Sequence, residues 1–137
     1  MPIAKVKGGD IHYTVRGNGS PVVMLLPQSG GPAGPEQFLD TLAKNFTVIR
    51  YDQRGTGRSA PALTTDAFTM EERALEVVGL LDVLGIARAH LCCHSTGCGI
   101  GLAMVSANSK RADGLILAAP WTHADKHLTT MQQLRIA

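Results

Sequence analysis

His90-Leu91-Cys92-Cys93-His94-Ser95-Thr96-Gly97 is the stretch that decides the fold of this chain. His90 to Cys93 reads as a short strand, and Thr96 to Asn108 as a helix built largely from small residues. Only His94 and Ser95 stand between them. A strand that turns into a helix over so few residues pushes the side chain at the corner clear of the sheet. Here that side chain is the Ser95 hydroxyl. Small neighbours are needed, because the turn brings helix and strand backbone close together. The same turn aims the first helical N–H groups at the space beside the hydroxyl, where an oxyanion would develop.

Outward from this corner, strands and helices alternate. Val22 to Leu26 is a wholly apolar run, as expected for a strand covered on both faces. Phe46 to Tyr51 reads as another buried strand, and Leu115 to Ala119 as one more. Ile11 to Val15 alternates apolar and polar residues and reads as a half-exposed strand. Gly17, Asn18, Gly19 and Pro21 make the turn after it. Pro27 to Pro35 is a loop rich in Gly and Pro. Pro35 suits the first position of a helix that runs to about Lys44 and stops at Asn45. The clearest helix follows an irregular segment, Asp52 to Thr65. Thr69 and Glu72 have the spacing of a capping box. Ala74, Val77, Val78, Leu81 and Leu84 recur at helical spacing, and Gly85 sits where a C-terminal cap belongs. This alternation implies right-handed crossovers and a three-layer α/β sandwich around a mostly parallel sheet. Such sheets bind ligands at the carboxyl ends of their strands. The loop after Leu26, the segment after Tyr51 and the turn after Cys93 all lie at those ends.

Three segments resemble the α/β-hydrolase family. Cys93-His94-Ser95-Thr96-Gly97 is similar to its G-x-S-x-G nucleophile elbow. Tyr51-Asp52-Gln53-Arg54-Gly55-Thr56-Gly57-Arg58-Ser59 looks like the D-x-R-G-x-G-x-S segment after the fourth strand. Leu25-Leu26-Pro27-Gln28-Ser29-Gly30-Gly31 occupies the place of the H-G-x-G oxyanion loop. The likeness covers nearly the whole chain, and its look is nearest to small hydrolases of the enol-lactonase and aminoacrylate-hydrolase type. It implies residues 1–137 are the amino-terminal part of a single α/β-hydrolase domain, with the sheet cut after about the sixth strand. It also implies that Ser95 is the nucleophile, through an acyl-enzyme, on a small ester, lactone or related carbonyl substrate. The oxyanion donors would be the backbone N–H groups of Thr96 and Ser29, or of Gln28 if the loop is shifted. Cys93, His94, Gly97, Asp52 and Arg54 would shape the site, the last two by pinning the loop after the fourth strand. A Ser at the elbow argues against the chemistry of haloalkane dehalogenases and epoxide hydrolases, which place an Asp there.

The departures from the family pattern matter. Cys93 replaces the first Gly of the elbow, which makes a tighter turn. Pro27 and Gln28 replace the His-Gly of the oxyanion loop, a change that backbone donors tolerate. In the family the triad acid and His follow later strands, so both are expected beyond residue 137, as is the lid. Ser is a poor nucleophile without a base. His123 and His127, after the strand ending near Ala119, are the local candidates for a substitute base. The better reading of that stretch is a solvated tail at a frayed terminus. The rival expectation for the chain as it stands is a non-catalytic fragment or interaction module, or a half-enzyme completed by another chain.

Composition narrows the remaining classes. The 137 residues are 45% hydrophobic and 18% charged, with a formal net charge of +2. That is a globular composition with room for one core. Lys and Arg are scattered rather than clustered, so neither nucleic acid nor a membrane surface is an expected partner. No run approaches the ~20 apolar residues of a membrane span, and the start has no signal-peptide pattern, so a cytoplasmic location is expected. Three cysteines at this spacing suggest small buried thiols rather than disulfides or a zinc site. Gly55-x-Gly57-x-x-Ala60 is followed by Pro61 instead of a helix, unlike a dinucleotide loop. His123-Ala124-x-x-His127 lacks the Glu of a zinc-protease motif. No metal or organic cofactor is implied. The apolar stretch Leu115 to Trp121 would form a sheet edge, through which self-association is expected.

Overall fold

The structure, a computed structural model, describes residues 2–27, 36–62, 64 and 68–136. Six strands form one sheet: β1 (Ile3–Val6), β2 (Gly9–Arg16), β3 (Ser20–Leu25), β4 (Phe46–Tyr51), β5 (Ala89–His94) and β6 (Ala112–Ala118). Their order across the sheet is β1-β2-β4-β3-β5-β6. The β3–β4, β3–β5 and β5–β6 pairs are parallel, and β1–β2 and β2–β4 are antiparallel. Among the described residues four α-helices accompany them, α1 (Glu36–Leu42), α2 (Met70–Val83), α3 (Thr96–Asn108) and α4 (Lys126–Ile136), with a short 3-10 helix, Ser109–Arg111, after α3. This is the α/β architecture expected from the alternating pattern.

Strand periodicity divides the core in two. Successive side chains on a strand point to opposite faces. Val23 and Leu25 of β3 therefore join Ile49, Tyr51, Leu91 and Cys93 beneath α2 and α3, where Val77, Leu80, Leu81, Ile100 and Met104 complete the larger core. Val22 and Met24 join Val48 and Leu39 on the other face, under α1. Burial of β3 on both sides explains why its sequence carries no polar alternation.

Two elements were not legible. The four-residue β1 pairs antiparallel with β2, its Ala4 fully buried opposite Ile11. The stretch read as a frayed tail instead forms α4. Asp125 initiates it, with Oδ1 accepting from Leu128 N–H at 2.7 Å and its carbonyl accepting from Thr129 N–H at 3.0 Å. A side-chain cap of this kind satisfies helical donors that otherwise have no acceptor. Strand β6 also begins earlier than expected and ends at Ala118. None of the described helices is long and apolar enough to cross a membrane.

Candidate active site

The carboxyl ends of β3, β4 and β5 meet one cleft of about 400 Å³. Ser95 stands on its wall, between the last residue of β5 and the first of α3. Its backbone has φ 53° and ψ −117°, a conformation that L-residues rarely adopt. Its side chain makes no capping bond to the helix, which leaves the hydroxyl uncommitted to α3. Backbone contacts hold the corner instead. Ser95 N–H donates to the Ala118 carbonyl at 3.0 Å, and the Ser95 carbonyl accepts from Cys98 N–H at 2.9 Å. The Cys98 thiol donates to the same Ala118 carbonyl at 3.2 Å. The end of β6 thus supports the corner from the side.

Glycines make the close approach of α3 possible. A Cβ on Gly97 would collide with the Leu25 carbonyl oxygen of β3. One on Gly101 would stand 2.5 Å from the Cys93 sulfur. Cys93 occupies the place of a family glycine because its thiol points into the core, against a helix position with no side chain. Burial, with Cys98 and Cys92 nearby, pushes the Cys93 thiol up to about 12, and burial also raises Cys92. Raised values disfavour the reactive thiolate, and both side chains pack against the core.

The segment after β4 also lines the cleft. Asp52 N–H donates to the His12 carbonyl at 2.9 Å, and Asp52 Oδ2 accepts from Arg58 N–H at 3.1 Å. Gly57, at φ +52°, lies so near that a Cβ there would collide with the same carboxylate. Arg54 Nε donates to Glu76 Oε1 at 2.9 Å, and its Nη1 donates to the Gly8 carbonyl at 3.0 Å. Asp52 and Arg54 are both buried, and each ties the segment to a different neighbour. Gln53 Nε2 donates to the Leu26 carbonyl at 3.3 Å, joining this segment to the end of β3.

Ser95 and Thr96 share the cleft with Pro27 and Arg54. Gln28 and Ser29, the expected second oxyanion donors, lie outside the described residues. His94 ends β5 and is exposed. His123 and His127 are exposed and absent from the cleft wall, with His123 Nδ1 3.3 Å from Thr122 Oγ1. Neither candidate substitute base therefore lines the cleft that holds Ser95. It does bring Arg73, Phe68 and Gln132 to the cleft, none of which the sequence singled out. Arg73 sits in the same helix whose apolar spacing was read, but a charged residue inside that pattern gave no sign of facing inward.

Comparison with known proteins agrees with the α/β architecture. The family described as alpha/beta hydrolase fold matches residues 21–136. "Putative carbamate hydrolase RutD" of Caulobacter sp. (strain K31) is 33% identical over 131 residues, covering 93% of this chain and 48% of that protein. The protein of the same name from Azorhizobium caulinodans is 30% identical, covering 98% of this chain and 50% of that one. Among solved structures, the enol-lactonase from Burkholderia xenovorans LB400 is 31% identical with a TM-score of 0.75, covering 83% of this chain and 45% of that chain. Est816, an N-acyl homoserine lactone degrading enzyme, is 30% identical with a TM-score of 0.77, covering 85% and 44%. The chain spans about half the length of the curated relatives it matches.

Proposed function

Because this chain belongs to the alpha/beta hydrolase fold family, we propose that it carries the nucleophile half of a hydrolase for small carbonyl substrates, with Ser95 as nucleophile. The backbone of Ser95 carries this reading: a non-glycine residue held at φ 53° at the mouth of a cleft. Strain of this kind costs about 1–3 kcal/mol and persists where the surrounding structure over-determines it, often at active sites. Ser95 Oγ would attack the substrate carbonyl carbon and lose its proton to a base. The carbonyl π electrons would move to oxygen, beside the Thr96 N–H and a second backbone donor from the Gln28–Ser29 loop. Collapse would expel the protonated leaving group and leave an acyl-serine, which water would then cleave. The reading assigns base and acid to a His and a carboxylate beyond residue 137. The named activities of the relatives, on carbamate and on lactones, support an ester, lactone or carbamate-like substrate.

Labelling with a fluorophosphonate, followed by peptide mass analysis, tests the nucleophile. The expected result is slow modification at Ser95, abolished in Ser95→Ala. Labelling at another residue, or labelling that persists in Ser95→Ala, overturns the assignment. Turnover of a small activated ester by the chain alone is expected to be weak, since backbone donors and binding survive loss of the base. Fast Ser95-dependent turnover would place a base within the chain. A second reading, a half-enzyme completed by another chain, is favoured by β6, which has one neighbouring strand among the described residues. Restored turnover on adding a separately produced segment corresponding to the rest of a relative's sheet would support it.

A further inference from the structure

Among the described residues, the charges around the cleft do not balance. Arg54 and Arg73 both line it, and among the described residues no Asp or Glu does. Behind them lies one carboxylate, Glu76, whose side chain is wholly buried. Arg54 Nε donates to it at 2.9 Å, and Arg73 Nη1 at 3.2 Å. The two guanidinium side chains are 8% and 4% exposed. Among the described residues, two cations thus share one anion, away from bulk water, where an uncompensated charge is costly and its field is poorly screened. The second observation is an unmet donor. Arg73 Nη1 also donates to the Arg54 carbonyl at 2.9 Å, but the buried Nε has no acceptor among the described residues. The Phe68 ring, 4.5 Å from the guanidinium carbon, covers one face of the group and holds its plane.

Resting on the hydrolase reading of the same cleft, we propose that Arg73, backed by Arg54, is a specificity-determining residue that selects substrates bearing a carboxylate near the scissile carbonyl. An Arg fork matches a carboxylate in geometry and charge, and a cleft with one sign of charge concentrates ions of the other. A neutral ester would occupy the cleft without meeting the excess cation. The positive wall would also favour the oxyanion that forms at Ser95.

The test compares monomethyl succinate with dimethyl succinate, titrated into the Ser95→Ala chain and followed by amide shifts in NMR. The monoester is expected to bind about tenfold more tightly, the scale of one charge-assisted hydrogen bond. Added salt should erode that preference. Arg73→Met should bring the two esters within about twofold, and Arg73→Lys should keep part of the difference. Equal affinity of the two esters, the absence of shifts at cleft residues with either, or a preference that survives in Arg73→Met would each overturn the proposal. If Arg73→Met fails to fold, the comparison of esters and its salt dependence still decide. Fluorophosphonate labelling of the wild-type chain separates the two readings. Labelled Ser95 without anion preference sinks only the selection, and anion preference with labelling at another residue sinks only the nucleophile.

Discussion

Arg54 and Glu76 form a buried ion pair, Nε to Oε1 at 2.9 Å, that fastens the segment after β4 to the middle of α2. The same carboxylate holds Arg73, so its removal strands two guanidinium groups inside the protein. Breaking a buried pair by deleting one partner typically costs about 3–5 kcal/mol. Glu76→Gln should lose stability on that scale in denaturant unfolding, and the cleft wall should loosen with it. Glu71→Gln, at an exposed position of the same helix, should change stability by no more than ~0.5 kcal/mol. Equal effects from the two substitutions would mean that the buried network does not hold the segment.

Gly97 and Gly85 separate two reasons for needing glycine. Gly97 has no room, because a Cβ would collide with the Leu25 backbone. Gly85, at φ +67°, has nothing within 4 Å of its would-be Cβ and only the conformation to respect. Gly85→Ala should therefore cost roughly 1–2 kcal/mol, the penalty of a left-handed L-residue. Gly97→Ala should cost more, because α3 must move off β3, and it should also disturb the corner at Ser95. Thermal unfolding of both variants, with amide shifts around Ser95, checks this. A milder loss in Gly97→Ala than in Gly85→Ala would contradict the close approach of helix and strand.

Strain at Ser95 predicts an asymmetry between two variants that both lack the hydroxyl. Alanine keeps the Cβ that makes φ 53° unfavourable, whereas glycine relieves it. Neither loses a capping bond, since the serine side chain makes none. Ser95→Gly should be more stable than Ser95→Ala by about 1 kcal/mol, after allowing for the greater freedom of glycine in the unfolded chain. Denaturant midpoints with unchanged slopes would measure it. Equal stabilities would mean that the corner is relaxed in solution.

What the sequence showed and what it hid have different physical origins. β4 and α3 fell on Phe46–Tyr51 and Thr96–Asn108, as read, because unbroken apolar runs and small-residue helices are local signals. The capping box was equally local, and Thr69 Oγ1 accepts from Glu72 N–H at 3.1 Å. β1 was missed because four residues containing Lys5 carry little pattern, and only the ladder to β2 makes them a strand. α4 has no apolar stripe and stays mostly exposed, so only its Asp125 cap marked it. At the site, the corner at Ser95 was legible because one turn contains it. The Arg54–Glu76–Arg73 cluster was not, because residues 22 positions apart meet only once α2 packs beside the segment after β4.

The far side of β6 predicts how the isolated chain behaves. β6 pairs with β5 on one side and with no strand on the other among the described residues. Leu115 and Leu117 pack on the α3 face, while Ile116 on the opposite face is 58% exposed. Nearby in sequence, Met131 and Leu134 of α4 are also exposed. Unpaired strand edges with apolar side chains template pairing with another chain, and a charge on the edge opposes it. The average mass of the purified chain by light scattering should therefore rise with concentration. Ile116→Lys should shift it toward monomer without lowering the unfolding midpoint, because the side chain it replaces supports no core. A wild-type chain that remains monomeric across the dilution series would show that this edge is protected. An assembly that persists unchanged in Ile116→Lys would place the contact on another surface.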